Sequence, residues 1–204
     1  MNAEQKNFIE VVGTIASADM KNSGVAASLT TAQAILESAW GKSELTKTGN
    51  ALFGIKATKD WKGKTLTRKT TEYEDGKKVQ VEAEFRAYDT WEDSVKDHSA
   101  FLKKYKRYAK VIGETDYKEA CNAVAAAGYA SDPEYAKKLI ELIETYELYN
   151  YDTKNTNTDD LGAEDKKYYR VQAGAYRRKE GADLMAEKIK KTCLLYTSPS
   201  PRDY

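Results

Sequence analysis

Apolar residues recur at helical spacing from the start of the chain. Phe8, Ile9, Val12 and Ile15 share one side of residues 3–20, which predicts an amphipathic helix. The same period returns over 26–40 through Leu29, Ala32, Ile35 and Leu36, with Gly41 placed to end it. Residues 50–64 have no period, and Gly54 and Gly63 interrupt them. Then the period falls to two. Val79, Val81, Ala83 and Phe85 alternate with Gln80, Glu82, Glu84 and Arg86, the pattern of a strand covered on one face. Asp75-Gly76 is a hairpin-turn pair, so 65–73 is the expected partner strand.

Helical spacing resumes after the hairpin. Thr90 with Asp93 three positions on resembles a capping box and opens a helix carrying Trp91, Val95, Phe101 and Leu102. Asp116 and Glu119 start an Ala-rich helix that stops at Gly128. Asp132-Pro133 places a cap before a proline and predicts a helix burying Leu139, Ile140, Leu142 and Ile143. The expected product is an α+β domain over residues 1–150, mainly helical with an inserted β-hairpin. Residues 151–167 are polar and aperiodic and read as a flexible linker. After it, 168–174 reads as a short strand and 180–191 as a helix.

Composition removes several function classes. The 204 residues carry 33 Lys and Arg against 32 Asp and Glu, so no overall field recruits nucleic acid or an anionic membrane. Mean hydropathy is −0.74, and no apolar run nears the ~18 residues of a membrane span. The charge is uneven: residues 166–192 hold nine Lys and Arg against Glu180, Asp183 and Glu187. Two cysteines, Cys121 and Cys193, and one histidine, His98, exclude disulfide scaffolds and sites needing two imidazoles. His98 lies mid-helix and reads as a structural hydrogen-bonder, and Cys121 as a small buried residue. No metal or organic cofactor is expected.

Carboxylates remain as candidate chemistry. Glu37 ends a mostly apolar helical turn just before Gly41. The helix dipole and burial both disfavour its charged form there, as suits a general acid. The residue types alone favour an exposed Glu on the outer helix face. Trp40, Trp61, Trp91 and Tyr88 fit either sugar stacking or the core.

Five blocks together resemble a known family. Leu29-Thr30-Thr31-Ala32-Gln33-Ala34-Ile35-Leu36-Glu37-Ser38-Ala39-Trp40-Gly41 resembles the signature of the bacterial peptidoglycan glucosaminidases, glycoside hydrolase family 73. Asn50-Ala51-Leu52-Phe53-Gly54-Ile55-Lys56, Ala83 to Tyr88, Ser94 to Leu102 and Gly128 to Ala136 resemble its later blocks. The resemblance implies a lysozyme-like fold: a helical lobe, a hairpin lobe and a glycan groove between. It implies hydrolysis of the β-1,4 bond on the reducing side of N-acetylglucosamine in peptidoglycan, with Glu37 as acid. Thr70-Thr71-Glu72-Tyr73 matches the motif of the second carboxylate, Glu72. Glu74 is the near alternative, because a slip of register changes which side chain turns inward. The same match makes Tyr129 a catalytic-site residue, and Asn50, Phe53 and Tyr135 substrate-binding ones. A muramidase, an amidase or a silent glycan-binding module is the alternative reading.

Tyr168 to Tyr176 and Ala182 to Lys191 resemble the opening strand and helix of the sporulation-related (SPOR) repeat, a peptidoglycan-binding module. The expected organisation therefore ends with a fragment of such a module at 168–192. Residues 193–204 resemble a translated sequencing adapter and are expected to carry no function. The implied partner is the peptidoglycan glycan strand, met by a monomer with no nucleic-acid or membrane partner. With no signal peptide before the first helix, release as a phage endolysin is the expected route, and export as a bacterial autolysin the other.

Overall fold

Side-chain caps and left-handed residues set most element boundaries. The computed structural model describes residues 1–74 and 77–153, without the side chains of 71–78 and 153. Helix α1 (Ala3–Ser23) starts on Asn2, whose side chain accepts from the Gln5 amide while the Gln5 side chain accepts from that of Asn2. α1 runs three residues past the expected end, to a left-handed Gly24. Helix α2 (Ala27–Ser38) is buried at every position from Ala27 to Ile35. It packs against α1 and against three later helices. A one-sided apolar stripe describes it poorly, and Leu36, expected in the core, is 38% exposed. Helix α3 (Glu44–Gly49), where the sequence reading assigned no element, is capped by the Ser43 hydroxyl.

Strands β1 (Lys64–Glu74) and β2 (Lys77–Ala87) form the expected antiparallel hairpin, with Leu66 opposite Phe85 and Thr70 opposite Val81. The turn pair Asp75-Gly76 lies outside the described residues. β1 seats on α3 at Gly49, where any Cβ would come within 2.3 Å of the Leu66 side chain. On its other edge β2 is stitched to the aperiodic segment. The Ala57 amide donates to the Glu84 carbonyl at 2.8 Å, and the Arg86 amide to the Ile55 carbonyl at 2.9 Å. The Leu-Phe-Gly-Ile-Lys stretch is thereby held against the hairpin base.

Three more helices close the core: α4 (Trp91–Lys104), α5 (Tyr117–Ala126) and α6 (Tyr135–Thr145). Thr90 and Asp116 cap α4 and α5 as expected. α6 begins two residues later than expected. The Asp132 carboxylate accepts from the Glu134 amide and pairs with Lys138, so it caps the turn before the helix. Leu139 and Ile143 are fully buried, each worth roughly 1.5–3 kcal/mol of transfer free energy, whereas Ile140 and Leu142 are only partly covered.

The packing continues past Asn150, where the linker was expected to begin. In the short helix α7 (Asn150–Thr153), the Tyr151 carbonyl accepts from the Ser17 hydroxyl and Asp152 Oδ1 from the Ser28 amide, at 2.7 and 2.8 Å. Ala26, at the α2 N-cap, supplies no side-chain acceptor, so Asp152 caps that helix. The remaining linker, SPOR-like and adapter-like segments lie outside the described residues. Among the described residues no helix is long and apolar enough to cross a membrane.

Candidate active site

Glu37 sits in the last turn of α2, where the buried helix runs out toward solvent. Behind it the chain turns sharply. Ala39, Trp40 and Gly41 all take positive φ, at 49°, 63° and 76°. A left-handed residue with a Cβ costs about 1–2 kcal/mol, and the surroundings hold two in succession. The Ser38 hydroxyl donates to the Ala34 carbonyl and accepts from the Gly41 amide. Trp40 packs edge-on against Phe8 and Tyr146. A Cβ on Gly41 would meet the Phe8 ring at 3.0 Å. This wedge fixes the end of the helix and hence the direction of Glu37.

A hydrogen-bonded chain holds the carboxylate. Gln33 Nε2 donates to the Tyr135 oxygen at 3.1 Å, and the Tyr135 hydroxyl donates to Glu37 Oε1 at 2.8 Å. Desolvation keeps the Glu37 carboxyl above the usual carboxylate range, while the Tyr135 bond pulls the other way. Tyr135 is expected to bind substrate. At 2% exposure its hydroxyl is spent on Glu37, so it supports the carboxylate from behind. Burial and the nearby Glu37 charge raise its phenol far above the ordinary value, so it stays a donor at working pH.

Aromatic rings continue this support. Tyr129 stacks on Tyr135 at 5.8 Å between centroids and meets the edge of His98 at 5.9 Å. His98 stacks on Phe53 at 4.0 Å. The expectation of a hydrogen-bonding His98 is corrected here: neither ring nitrogen meets a partner among the described residues. Burial pushes its pKa down to about 3, so it is a neutral ring in the stack. Cys121 is buried, with its thiol pushed up to about 12, and is unsuited to nucleophilic work.

Glu37, Phe53 and Tyr129 open onto one cavity of about 320 Å³, walled also by Gly54 to Lys56, Thr58, Arg86, Phe101, Arg107 and Tyr108. A second recess of about 140 Å³ shares Thr58, Arg86 and Phe101 with it and reaches Trp61. The Arg86 guanidinium lies over Trp61 at 4.6 Å and donates to both Asp97 oxygens at 2.9 Å. Tyr88 also donates to Asp97. Trp40 and Trp91 pack on Phe8, which answers the core-or-sugar question for both in favour of the core.

One expected site residue, Asn50, stands apart from this group, and the side chain of another, Glu72, lies outside the described residues. Asn50, at φ 50°, donates its amide to the Tyr88 and Asp89 carbonyls. It clamps α3 to the end of the hairpin and is not among the cavity walls. The backbone register sets Glu72 opposite Val79 and Glu74 opposite Lys77. Positions 72 and 74 share one face of β1, so the choice between them is a step of roughly 7 Å along the strand, rather than the inward-outward flip expected of a slip. Sequence reasoning missed Gln33, Arg107 and Tyr108. Gln33 carried a signal, four residues before Glu37 on the same helix face. Arg107 and Tyr108 lie on a single 3₁₀ turn, Lys106–Tyr108, and carried none. Among the described residues no group of three or more His, Cys, Asp or Glu is placed to hold a metal ion.

The family profile described as mannosyl-glycoprotein endo-beta-N-acetylglucosaminidase matches residues 13–148. The chain belongs to the glucosaminidase family. It is 40% identical to Exo-glucosaminidase LytG of Bacillus subtilis (strain 168) over 157 residues, 74% of this chain and 55% of that protein. It is 36% identical to Peptidoglycan hydrolase FlgJ of Salmonella typhimurium over 148 residues, 71% of this chain and 47% of that protein. The chain thus spans about half the length of these curated relatives. The catalytic domain of the autolysin Auto from Listeria monocytogenes aligns with a TM-score of 0.68 at 35% identity, covering 74% of this chain and 89% of that one. The helical lobe and two-stranded hairpin are thus those of a lysozyme-like glucosaminidase fold.

Proposed function

We propose that this glucosaminidase hydrolyses the β-1,4 bond on the reducing side of N-acetylglucosamine in peptidoglycan, with Glu37 as the general acid. The observation that carries the reading is the setting of Glu37. Its carboxyl opens onto the cavity, is held protonated to higher pH than an ordinary carboxylate, and has Oε1 tied to the Tyr135 hydroxyl. That bond leaves Oε2 to carry the proton toward the leaving glycosidic oxygen. As the C1–O bond breaks, positive charge develops on the sugar ring. We assign its management to Glu72 on the hairpin, acting on water or orienting the substrate's own acetamido group, with Glu74 as the competing position. Tyr129 and Phe53 form the wall against which the reacting sugar is held.

A second recess shares Arg86 with the Glu37 cavity and reaches Trp61, so we read the cut as internal to a glycan strand. We further read residues 168–192 as a segment that targets the wall, on their resemblance to the SPOR repeat. The chain is then a wall-acting hydrolase of the autolysin or endolysin kind.

Purified peptidoglycan, digested, reduced with borohydride and examined by mass spectrometry, tests the bond. Reduced N-acetylglucosamine ends, lost by a factor of about 10³ in Glu37→Gln, are expected; reduced N-acetylmuramic acid overturns the specificity. Glu72→Gln is expected to lose at least about tenfold in rate, and a loss confined to Glu74→Gln moves the assignment two residues on. Release of monosaccharides alone would contradict internal cleavage.

A further inference from the structure

Three cations, Lys56, Arg86 and Arg107, line the Glu37 cavity, and Glu37 is the one acid among its described walls. A neutral amino sugar calls for none of them. Arg86 has a structural reason to be there: it is 7% exposed and paired with Asp97. Even so, its buried Nε meets no partner among the described residues. Arg107 has no such reason. It is exposed, and no carboxylate among the described residues pairs with it. Its guanidinium lies over the buried Tyr108 ring at 4.7 Å and near Tyr105 at 5.8 Å. Stacking fixes the plane of a guanidinium and leaves edge N–H groups free, the geometry that receives a carboxylate in a two-pronged contact.

We propose that Arg107 is a specificity residue that binds a substrate carboxylate beside the scissile bond, so that the site selects acidic glycan over neutral glycan. The inference rests on the peptidoglycan reading above. In that polymer the carboxylate comes from one of two sources: the lactyl group of muramic acid where the peptide is absent, or the stem peptide where it is present.

The test uses the full chain and three substrates. These are peptide-stripped glycan strands, the same strands with their carboxyls converted to neutral amides, and intact peptide-bearing peptidoglycan. Arg107→Gln is expected to lower kcat/KM on an acidic substrate by about tenfold or more, the order of one charge-assisted hydrogen bond, through KM and with kcat little changed. A loss on stripped strands identifies the lactyl carboxylate, and the wild type should then lose as much on amidation while the variant loses nothing further. A loss on peptide-bearing material alone identifies the stem peptide. Arg107→Lys should recover only part, since it keeps the charge without the planar fork. Equal kcat/KM for wild type and Arg107→Gln on both acidic substrates overturns the proposal, as does an equal loss on amidated strands. Should the wild type cut none of these substrates, the hydrolase reading fails. Binding of soluble acidic fragments, stripped or peptide-bearing, by Glu37→Gln with and without Arg107→Gln then still decides the role of Arg107, and equal affinities reject it.

Discussion

Replacing His98 by leucine should flatten the acid side of this protein's stability curve. The His98 ring is 0% exposed, sandwiched between Phe53 and Tyr129, and its pKa is pushed down to about 3. In the unfolded chain an imidazole titrates near pH 6.5. Between those values the unfolded state binds a proton that the folded state refuses, so stability falls as pH falls. The contribution is whole above about pH 6.5 and is lost progressively toward pH 3. From pH 7 to pH 5 the loss is about 2 kcal/mol, set almost entirely by titration of the unfolded state, and the full span is worth roughly 4–5 kcal/mol. Urea unfolding of both proteins at pH 7, 6 and 5 measures it. The packing change from His98→Leu is independent of pH, so it drops out of the difference in slope, and carboxylates common to both proteins cancel. Wild-type and variant curves parallel to within about 0.5 kcal/mol over that interval would show that His98 takes up a proton in the folded protein, against the buried neutral ring described.

Two further perturbations probe the acid and its mounting. Tyr135→Phe removes the hydroxyl that favours charged Glu37, so the Glu37 pKa should rise further. The alkaline limb of the kcat/KM profile should move to higher pH, and kcat should fall by about tenfold as Oε1 loses its anchor; an unmoved limb contradicts the assignment. Ala39→Gly relieves a left-handed φ of 49°. Set against the greater chain entropy of glycine, it should stabilise by about 0.5–1 kcal/mol, raising Tm by roughly 2 °C. A calorimetric scan showing a lower Tm would mean that the turn is not strained.

Local signals were readable in the sequence, and tertiary ones were not. The hairpin, with Val79 to Phe85 alternating, and the caps at Thr90 and Asp116 depend on residues within a few positions of one another. Helix α3 escaped because six residues are too few to show a period. The full burial of α2 escaped because it depends on what surrounds the helix rather than on its own pattern. At the site, Glu37 was legible inside a contiguous motif. The bond from its partner Tyr135 was not legible, since the sequence does not say that α6 passes behind α2. Arg107 and Tyr108 reach the cavity through a 3₁₀ turn with no pattern of its own.

The cap that Asp152 places on α2 has a consequence for synthesis. The helix bearing Glu37 begins at Ala27, yet the carboxylate that receives its Ser28 amide stands 124 positions later. A ribosome extending this chain therefore exposes α2 long before its cap exists. Until Asp152 emerges, that helix lacks about 1 kcal/mol of end stabilisation, and its apolar surface awaits α5, α6 and α7. The domain seals this helix only once residue 152 has left the ribosome, so a nascent chain stalled before that point holds a central helix that is still unsealed.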